Sequence, residues 1–186
     1  MRILLASQSP RRKELLAALG YNFETVNIDC KEIYPTTLAV EKIPAYLAEL
    51  KARTYTALQE NEVLITADTI VVDQNEVLGK PGDKAEAVKM LQKLSGKSHQ
   101  VITAVSISLN GECFTQTDIA EVEMENISEE EIDYYIQHFK PLDKAGAYGI
   151  QEWLGMAKIK RIKGNFYTIV GLPTHLVYEG LKKLGL

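Results

Sequence analysis

Apolar positions recur along this chain in two rhythms, and their alternation predicts its elements. Ile3 to Ala6 is a short apolar run of the kind a buried strand shows. Ser7-Gln8-Ser9-Pro10 breaks it, with Ser9 placed to cap a helix and Pro10 to begin one. Leu15, Leu16 and Leu19 give that helix an apolar side, and Gly20 closes it. A second helix is expected from about Glu41 to Leu58, with Ile43, Leu47, Leu50, Thr54 and Leu58 at helical spacing. Val63 to Val72 is nearly continuous in apolar and β-branched residues and reads as a strand buried on both faces. Asp73-Gln74-Asn75-Glu76 turns it into Val77-Leu78.

Asp83 with Glu86 opens a further helix bearing Val88, Leu91 and Leu94, stopped by Gly96. Gln100 to Leu109 reads as an alternating strand, Asn110-Gly111 as a hairpin turn and Cys113 to Glu125 as the returning strand. Ser128 with Glu131 caps a helix that carries Ile132, Tyr135, Ile136 and Phe139. After a glycine-rich polar stretch, Pro141 to Gln151, a second hairpin is expected, with Lys158 to Ile162 and Phe166 to Val170 around Lys163-Gly164-Asn165. Gly171-Leu172-Pro173 precedes a last helix with Leu176, Val177, Leu181 and Leu184. Strands that alternate with helices, interrupted by two hairpins, predict an α/β fold. Its sheet is expected to be mixed and flanked by helices, in an order that allows two lobes with a central cleft.

Composition changes this picture little. The 186 residues suffice for one domain or two closely packed lobes, with 46% hydrophobic and 25% charged residues, and so exclude disorder as the main state. A net charge of -4 makes duplex nucleic acid a poor partner, although a local basic cluster can still bind a small anion. Cys30 and Cys113 lie in no Cys-x-x-Cys or zinc-type pattern and read as free thiols. No apolar run approaches the length of a membrane span, which predicts a soluble, cytoplasmic protein.

The chemistry is expected in a few places. Ser7-Gln8-Ser9-Pro10-Arg11-Arg12 leaves a strand and enters a helix, where unpaired N–H groups and the helix dipole favour an anion. Ser7 and Ser9 add hydroxyl donors, and Arg11 and Arg12 add guanidinium forks. Two cations in a helix first turn oppose the dipole, a local conflict that favours phosphate binding over a plain capped helix. Asp68, inside an apolar strand, is costly unless it meets a cation or several donors, so a metal-binding or general-base role is expected there. A haloacid-dehalogenase nucleophile is disfavoured because Ile70 stands where a second aspartate would be needed.

Lys51 shares a helical face with Leu47, Thr54 and Leu58, and either covers that face with its stem or reaches an anion. Lys80, between Gly79 and Pro81, either points at a phosphate or is a solvated loop residue. Gln151 ends the small-residue stretch Asp143 to Gln151 and can read a base edge, or the stretch is a packed loop. There is no P-loop, no Gly-x-Gly-x-x-Gly and no serine-hydrolase pairing for His99, His138 or His175. What remains points to metal-assisted hydrolysis of a phosphate ester or anhydride.

Taken together, the blocks Ala6 to Leu16, Ala67-Asp68-Thr69, Gly79-Lys80-Pro81, Leu94-Ser95-Gly96 through His99, Asp143 to Gln151 and Val170 to Pro173 resemble the Maf family. They do so in order along nearly the whole chain, as a single domain over 1–186. The resemblance implies an elongated fold, frequent homodimers, and hydrolysis of a nucleoside triphosphate to monophosphate and pyrophosphate with a divalent cation, Mg²⁺ or Mn²⁺. Arg11, Thr69 and Gln151 match the positions that mark the dTTP/UTP branch, with modified pyrimidine triphosphates as further substrates. Asp68 matches the family's proton acceptor. Ser7, Arg12, Lys51 and Lys80 match positions tied to phosphate binding, and Glu32, with Asp68, to the metal. Lys31-Glu32 stands where many relatives have two acidic residues, and Glu152-Trp153-Leu154 where some are glycine-rich. A nucleotide-binding regulator of cell division, with little turnover, is the alternative of a different class.

Overall fold

The computed structural model describes residues 1–186 and is an α/β protein. In chain order the elements are β1 (Arg2–Leu5), α1 (Pro10–Ala18), β2 (Phe23–Thr25), α2 (Ile43–Thr54), β3 (Glu62–Asp73), β4 (Glu76–Leu78), α3 (Lys84–Leu94), β5 (Ser98–Leu109), β6 (Glu112–Met124), α4 (Glu129–Phe139), α5 (Trp153–Lys158), β7 (Ile159–Lys163), α6 (Phe166–Val170) and α7 (Thr174–Lys183). The strand order is β2-β1-β3-β5-β6-β7, with β4 also paired to β3. The sheet is mixed. β1 runs parallel to β2 and to β3, whereas β4 is antiparallel to β3 and β7 to β6.

The chain divides into two compact units. One comprises Met1–Thr69, Thr103–Asp118 and Gly171–Leu186, the other Ile70–Ile102 and Ile119–Val170. In the first unit the period of two along β1 and β3 sorts side chains between two apolar clusters. Ile3, Leu5, Val63, Ile65 and Ala67 pack with Leu16 of α1 and Val177 and Leu181 of α7. Leu4, Ala6 and Leu64 pack with Ala52 of α2. Complete burial of a Leu or Ile contributes roughly 1.5–3 kcal/mol, and Leu4, Leu5, Leu16, Leu64 and Ile65 are all almost fully buried. The second unit has its own cluster, in which Leu91 and Leu94 of α3 and Ile132 and Tyr135 of α4 meet Val101, Val122 and Leu154.

Turn chemistry fixes the boundaries. Gln74-Asn75 and Asn110-Gly111 adopt positive φ, as two-residue hairpins require. Ser128 and Glu131 close a capping box on α4, while Asp83 accepts from the Glu86 amide to cap α3.

Four expectations are corrected. The second helix ends at Thr54 rather than Leu58, because Tyr55 leaves helical geometry. β5 is not an alternating strand, since from Val101 to Ser108 every side chain is buried. Phe166 to Val170 is no strand: the Asn165 carboxamide accepts from the Tyr167 amide and starts a helical turn, and β7 pairs with β6 instead. The stretch from Pro141 to Gln151 is packed, as one of the readings open for it has it: it holds two 3₁₀ turns and is buried from Gly146 to Ile150 without a break. Ser9 caps α1 by position only, as its hydroxyl makes no capping bond.

Nothing in the apolar pattern marks α5. Its Gly155 is indispensable on steric grounds, because a Cβ there would lie 1.8 Å from the Ile150 carbonyl oxygen. Gly155→Ala is expected to destabilise the protein by about 1–3 kcal/mol, the usual cost of overpacking. Thermal unfolding checks this, and an unchanged midpoint would contradict the packing of Ile150 against α5.

Candidate active site

Strand β3 carries the central residues, and its period of two sends successive side chains to different helices. Thr66 and Asp68 face α2. The Thr66 hydroxyl donates to the Ala48 carbonyl at 2.7 Å, and one turn further along α2 the Lys51 ammonium donates to Asp68 Oδ1 at 2.6 Å. Thr69 faces the other way, towards α1, and accepts from Arg12 Nη2 at 3.1 Å. The middle of β3 thus places a carboxylate and a hydroxyl next to two cations drawn from different helices.

Lys51 does not merely cover an apolar face. Its Nζ also lies 2.9 Å from Glu32 Oε1, so one ammonium is shared by two carboxylates. The Lys51 and Asp68 side chains are only 13% and 9% exposed, whereas Glu32 is half exposed, so the Asp68 pair is the less solvent-screened of the two. Burial raises the pKa of Asp68 above the ordinary aspartate value of 3.8. The charge and hydrogen bond of Lys51 and the charge of Arg12 oppose that rise without cancelling it, and Glu32 adds to it. A carboxylate tuned in this direction is a better proton acceptor than a solvated one.

Arg12 is held by three protein acceptors. Nε donates to Gly171 O at 2.8 Å, Nη1 to Ala67 O at 2.8 Å and Nη2 to Thr69 Oγ1. Three of its five N–H groups are thereby fixed, which orients the fork and leaves two for a ligand. Burial lowers its pKa, the Asp68 and Glu32 carboxylates act against that, and Arg11 acts with it. The Thr69 hydroxyl also accepts from Thr103 Oγ1 at 3.0 Å and faces Gly171 O at 3.5 Å, so it is engaged on all sides by the protein. Gly171 has a φ of +116°, a backbone that brings its carbonyl to Arg12 and that side chains disfavour.

The loop before α1 completes this group. Ser7 is buried, and its Oγ accepts from the Ser9 amide at 3.2 Å, which folds the loop back on itself. The first turn of α1 contains no acidic residue and no capping hydroxyl bond, so no carboxylate offsets the helix dipole beside Arg11 and Arg12.

The first unit therefore brings together Ser7, Arg12, Glu32, Lys51, Asp68 and Thr69, with Arg11 on the same helical turn as Arg12. Lys80 and Gln151 belong to the second unit, and both are exposed. Their segments are joined there, since the Gly146 amide donates to the Gly79 carbonyl at 3.0 Å.

Sequence reasoning gives no sign of a polar network around Gln151. Lys144, buried, lies 3.1 Å from Glu152 Oε1 and 2.7 Å from Asp143 Oδ1. Glu152 also accepts from the fully buried Tyr135 hydroxyl, which itself accepts from the Gly149 amide at 2.9 Å. Tyr148 shares a 2.7 Å hydrogen bond with His99 Nε2, and burial pushes His99 down to about 4, so that ring is neutral at pH 7. Between these anchors Ala147 has a φ of +59° while fully buried, a left-handed backbone that costs a residue with a Cβ roughly 1–2 kcal/mol. The only sequence signal is the run of small residues, which shows close packing but names no partners.

The family match and the named relatives agree with one another. The family described as "Maf-like protein" matches residues 2–184. A protein of Porphyromonas gingivalis named dTTP/UTP pyrophosphatase is 48% identical, over 99% of this chain and 94% of that protein. One of the same name from Bacteroides thetaiotaomicron is 49% identical, over 98% of this chain and 95% of its own length. Among solved structures, the Staphylococcus aureus Ham1 protein is 17% identical with a TM-score of 0.49, over 67% of this chain and 72% of that one, a likeness too slight to bear on fold or function.

Proposed function

This chain belongs to the Maf family, and from that membership and its site we propose that it hydrolyses dTTP and UTP to the nucleoside monophosphate and pyrophosphate. The observation that carries the chemistry is Asp68, a buried carboxylate with a raised pKa, set against Lys51 and near Arg12. Water adds to a phosphorus of the α–β anhydride, the anhydride P–O bond breaks, and the proton released from the water passes to Asp68. Arg12 and Lys51, the cations beside Asp68, are the groups that would stabilise the negative charge gathering on the phosphoryl oxygens, without reorganisation. Ser7 and the N-terminus of α1 add donors to the phosphate chain, and Lys80 is proposed as a further phosphate-binding cation.

The residues also fit a divalent cation. No group of three His, Cys, Asp or Glu side chains stands ready to hold an ion alone. Mg²⁺ is commonly held by only one or two carboxylates, with substrate phosphates completing its shell. Asp68, when it serves as ligand instead of proton acceptor, and Glu32 supply that number, and both already face one positive charge on Lys51. When bound there, Mg²⁺ or Mn²⁺ would polarise the phosphate chain as a Lewis acid.

The reading carries with it a cytoplasmic homodimer that acts on free nucleotides, modified pyrimidines among them, and not on nucleic acid or a membrane. The net charge of -4 supports the absence of a nucleic-acid partner, and no helix is long and apolar enough to cross a membrane. Alanine at Arg12, Lys51 or Lys80 is expected to lower dTTP turnover far more than it changes thermal stability. Parental kinetics in all three purified variants would contradict the phosphate assignment.

A further inference from the structure

Gln151 is exposed, yet the residues on either side of it are held unusually firmly. The segment from Lys144 to Glu152 is anchored at both ends of one ion pair, Lys144 with Glu152. Tyr135 ties its middle through the Gly149 amide and its end through Glu152. His99 holds Tyr148, and the Gly79 carbonyl holds Gly146. Gly146 sits so close to Val71 that a Cβ would lie 2.9 Å from its side chain. Ala147, between these anchors, keeps a left-handed backbone that only its surroundings can maintain.

Buried ion pairs contribute little net stability, because desolvation offsets their attraction, but they can fix one conformation over others. Burying Lys144, bonding Glu152 to a tyrosine inside the core and straining Ala147 all act on one short segment. That segment ends at a side chain pointing to solvent.

We propose that Lys144, Glu152 and Tyr135 form a clamp of positioning residues that sets where the Gln151 amide stands, and so sets base selectivity rather than the rate of hydrolysis. The proposal rests on Gln151 reading the base. A held amide meets a pyrimidine edge at one distance and blocks a larger ring. A segment free to retreat by an ångström or so admits the purine as well. The clamp touches no phosphate-binding residue except through the Gly146–Gly79 bond, so kcat on the preferred nucleotide stays close to that of the parent.

The test compares kcat/KM for dTTP and dGTP in Glu152→Gln, Tyr135→Phe and Gln151→Ala. Glu152→Gln keeps an acceptor for Tyr135 and removes the charge that pairs with Lys144. Tyr135→Phe keeps the ring in the core and removes both hydrogen bonds. If Tyr135→Phe fails to fold, Glu152→Gln alone carries the test. The expected result is a fall in the dTTP-to-dGTP ratio of at least about tenfold in the clamp variants, with KM for dTTP raised and kcat within about threefold of the parent. Clamp variants that keep the parental ratio while Gln151→Ala loses it would overturn the clamp. Gln151→Ala with an unchanged ratio would instead remove the base-reading role on which the clamp depends. An equal loss on both nucleotides, tracking lower thermal stability, would reduce the network to ordinary packing and also overturn the proposal.

Discussion

Asp68→Asn is expected to lower dTTP turnover by about 100-fold or more while leaving a folded protein, the usual scale for losing a positioned acid–base group. The substitution keeps size and shape within a strand whose neighbouring side chains are almost all buried, so packing is preserved. It removes the negative charge that Lys51 meets at 2.6 Å and the only buried carboxylate of the site. Lys51 keeps Glu32 as a counterion at 2.9 Å, which limits the cost of the unpaired ammonium. Steady-state kinetics with thermal unfolding as a control checks this. Near-parental turnover in a folded variant would remove Asp68 from the chemistry.

The second large effect concerns the base. The parent protein is expected to prefer dTTP and UTP over ATP, GTP and 7-methyl-GTP, and Gln151→Glu is expected to lower pyrimidine kcat/KM by about 10- to 100-fold, the range for an unmet polar partner. Uracil and thymine present carbonyl oxygens and a ring N–H on their readable edge. The Gln151 amide can both donate and accept, whereas Arg11 only donates. A carboxylate in place of that amide would offer two acceptors to the base carbonyls, so attraction becomes repulsion. Because Gln151 is exposed, the change barely touches the core. Thr69 differs from Gln151 in that its hydroxyl is already engaged by Arg12, Thr103 and Gly171. A parental preference for 7-methyl-GTP would contradict the pyrimidine assignment and leave triphosphate hydrolysis standing.

Much of this is legible in the sequence where local rules govern. The Val63 to Val72 run gives β3, and the dipeptides at Gln74 and Asn110 give two turns whose φ values agree. An aspartate inside an apolar strand announces Asp68, because buried charge needs a partner. The partner itself is not legible. Lys51 lies 17 residues away, and only the register between β3 and α2 makes them neighbours. A strand buried on both faces also hides its own period of two, so nothing in the run tells that Asp68 and Thr69 serve different helices.

Phe166 to Val170 misleads for a related reason. Its aromatic and β-branched residues favour a strand, but the Asn165 cap and the β6–β7 pairing decide otherwise. The Tyr135–Glu152–Lys144 network leaves no trace in the sequence because each member looks ordinary within its own element. Tyr135 reads simply as the apolar face of α4, and only the fold brings its hydroxyl to Glu152 and Gly149.

The central claim is that this chain cleaves the α–β anhydride of a pyrimidine triphosphate. Its most direct test is phosphorus NMR of dTTP incubated with the purified protein and Mg²⁺. dTMP and pyrophosphate are expected to appear in equal amounts as dTTP disappears, and Asp68→Asn is expected to form them about 100-fold more slowly or not at all. Release of orthophosphate with dTDP, or dTTP left unchanged after prolonged incubation with the parent protein, would contradict it.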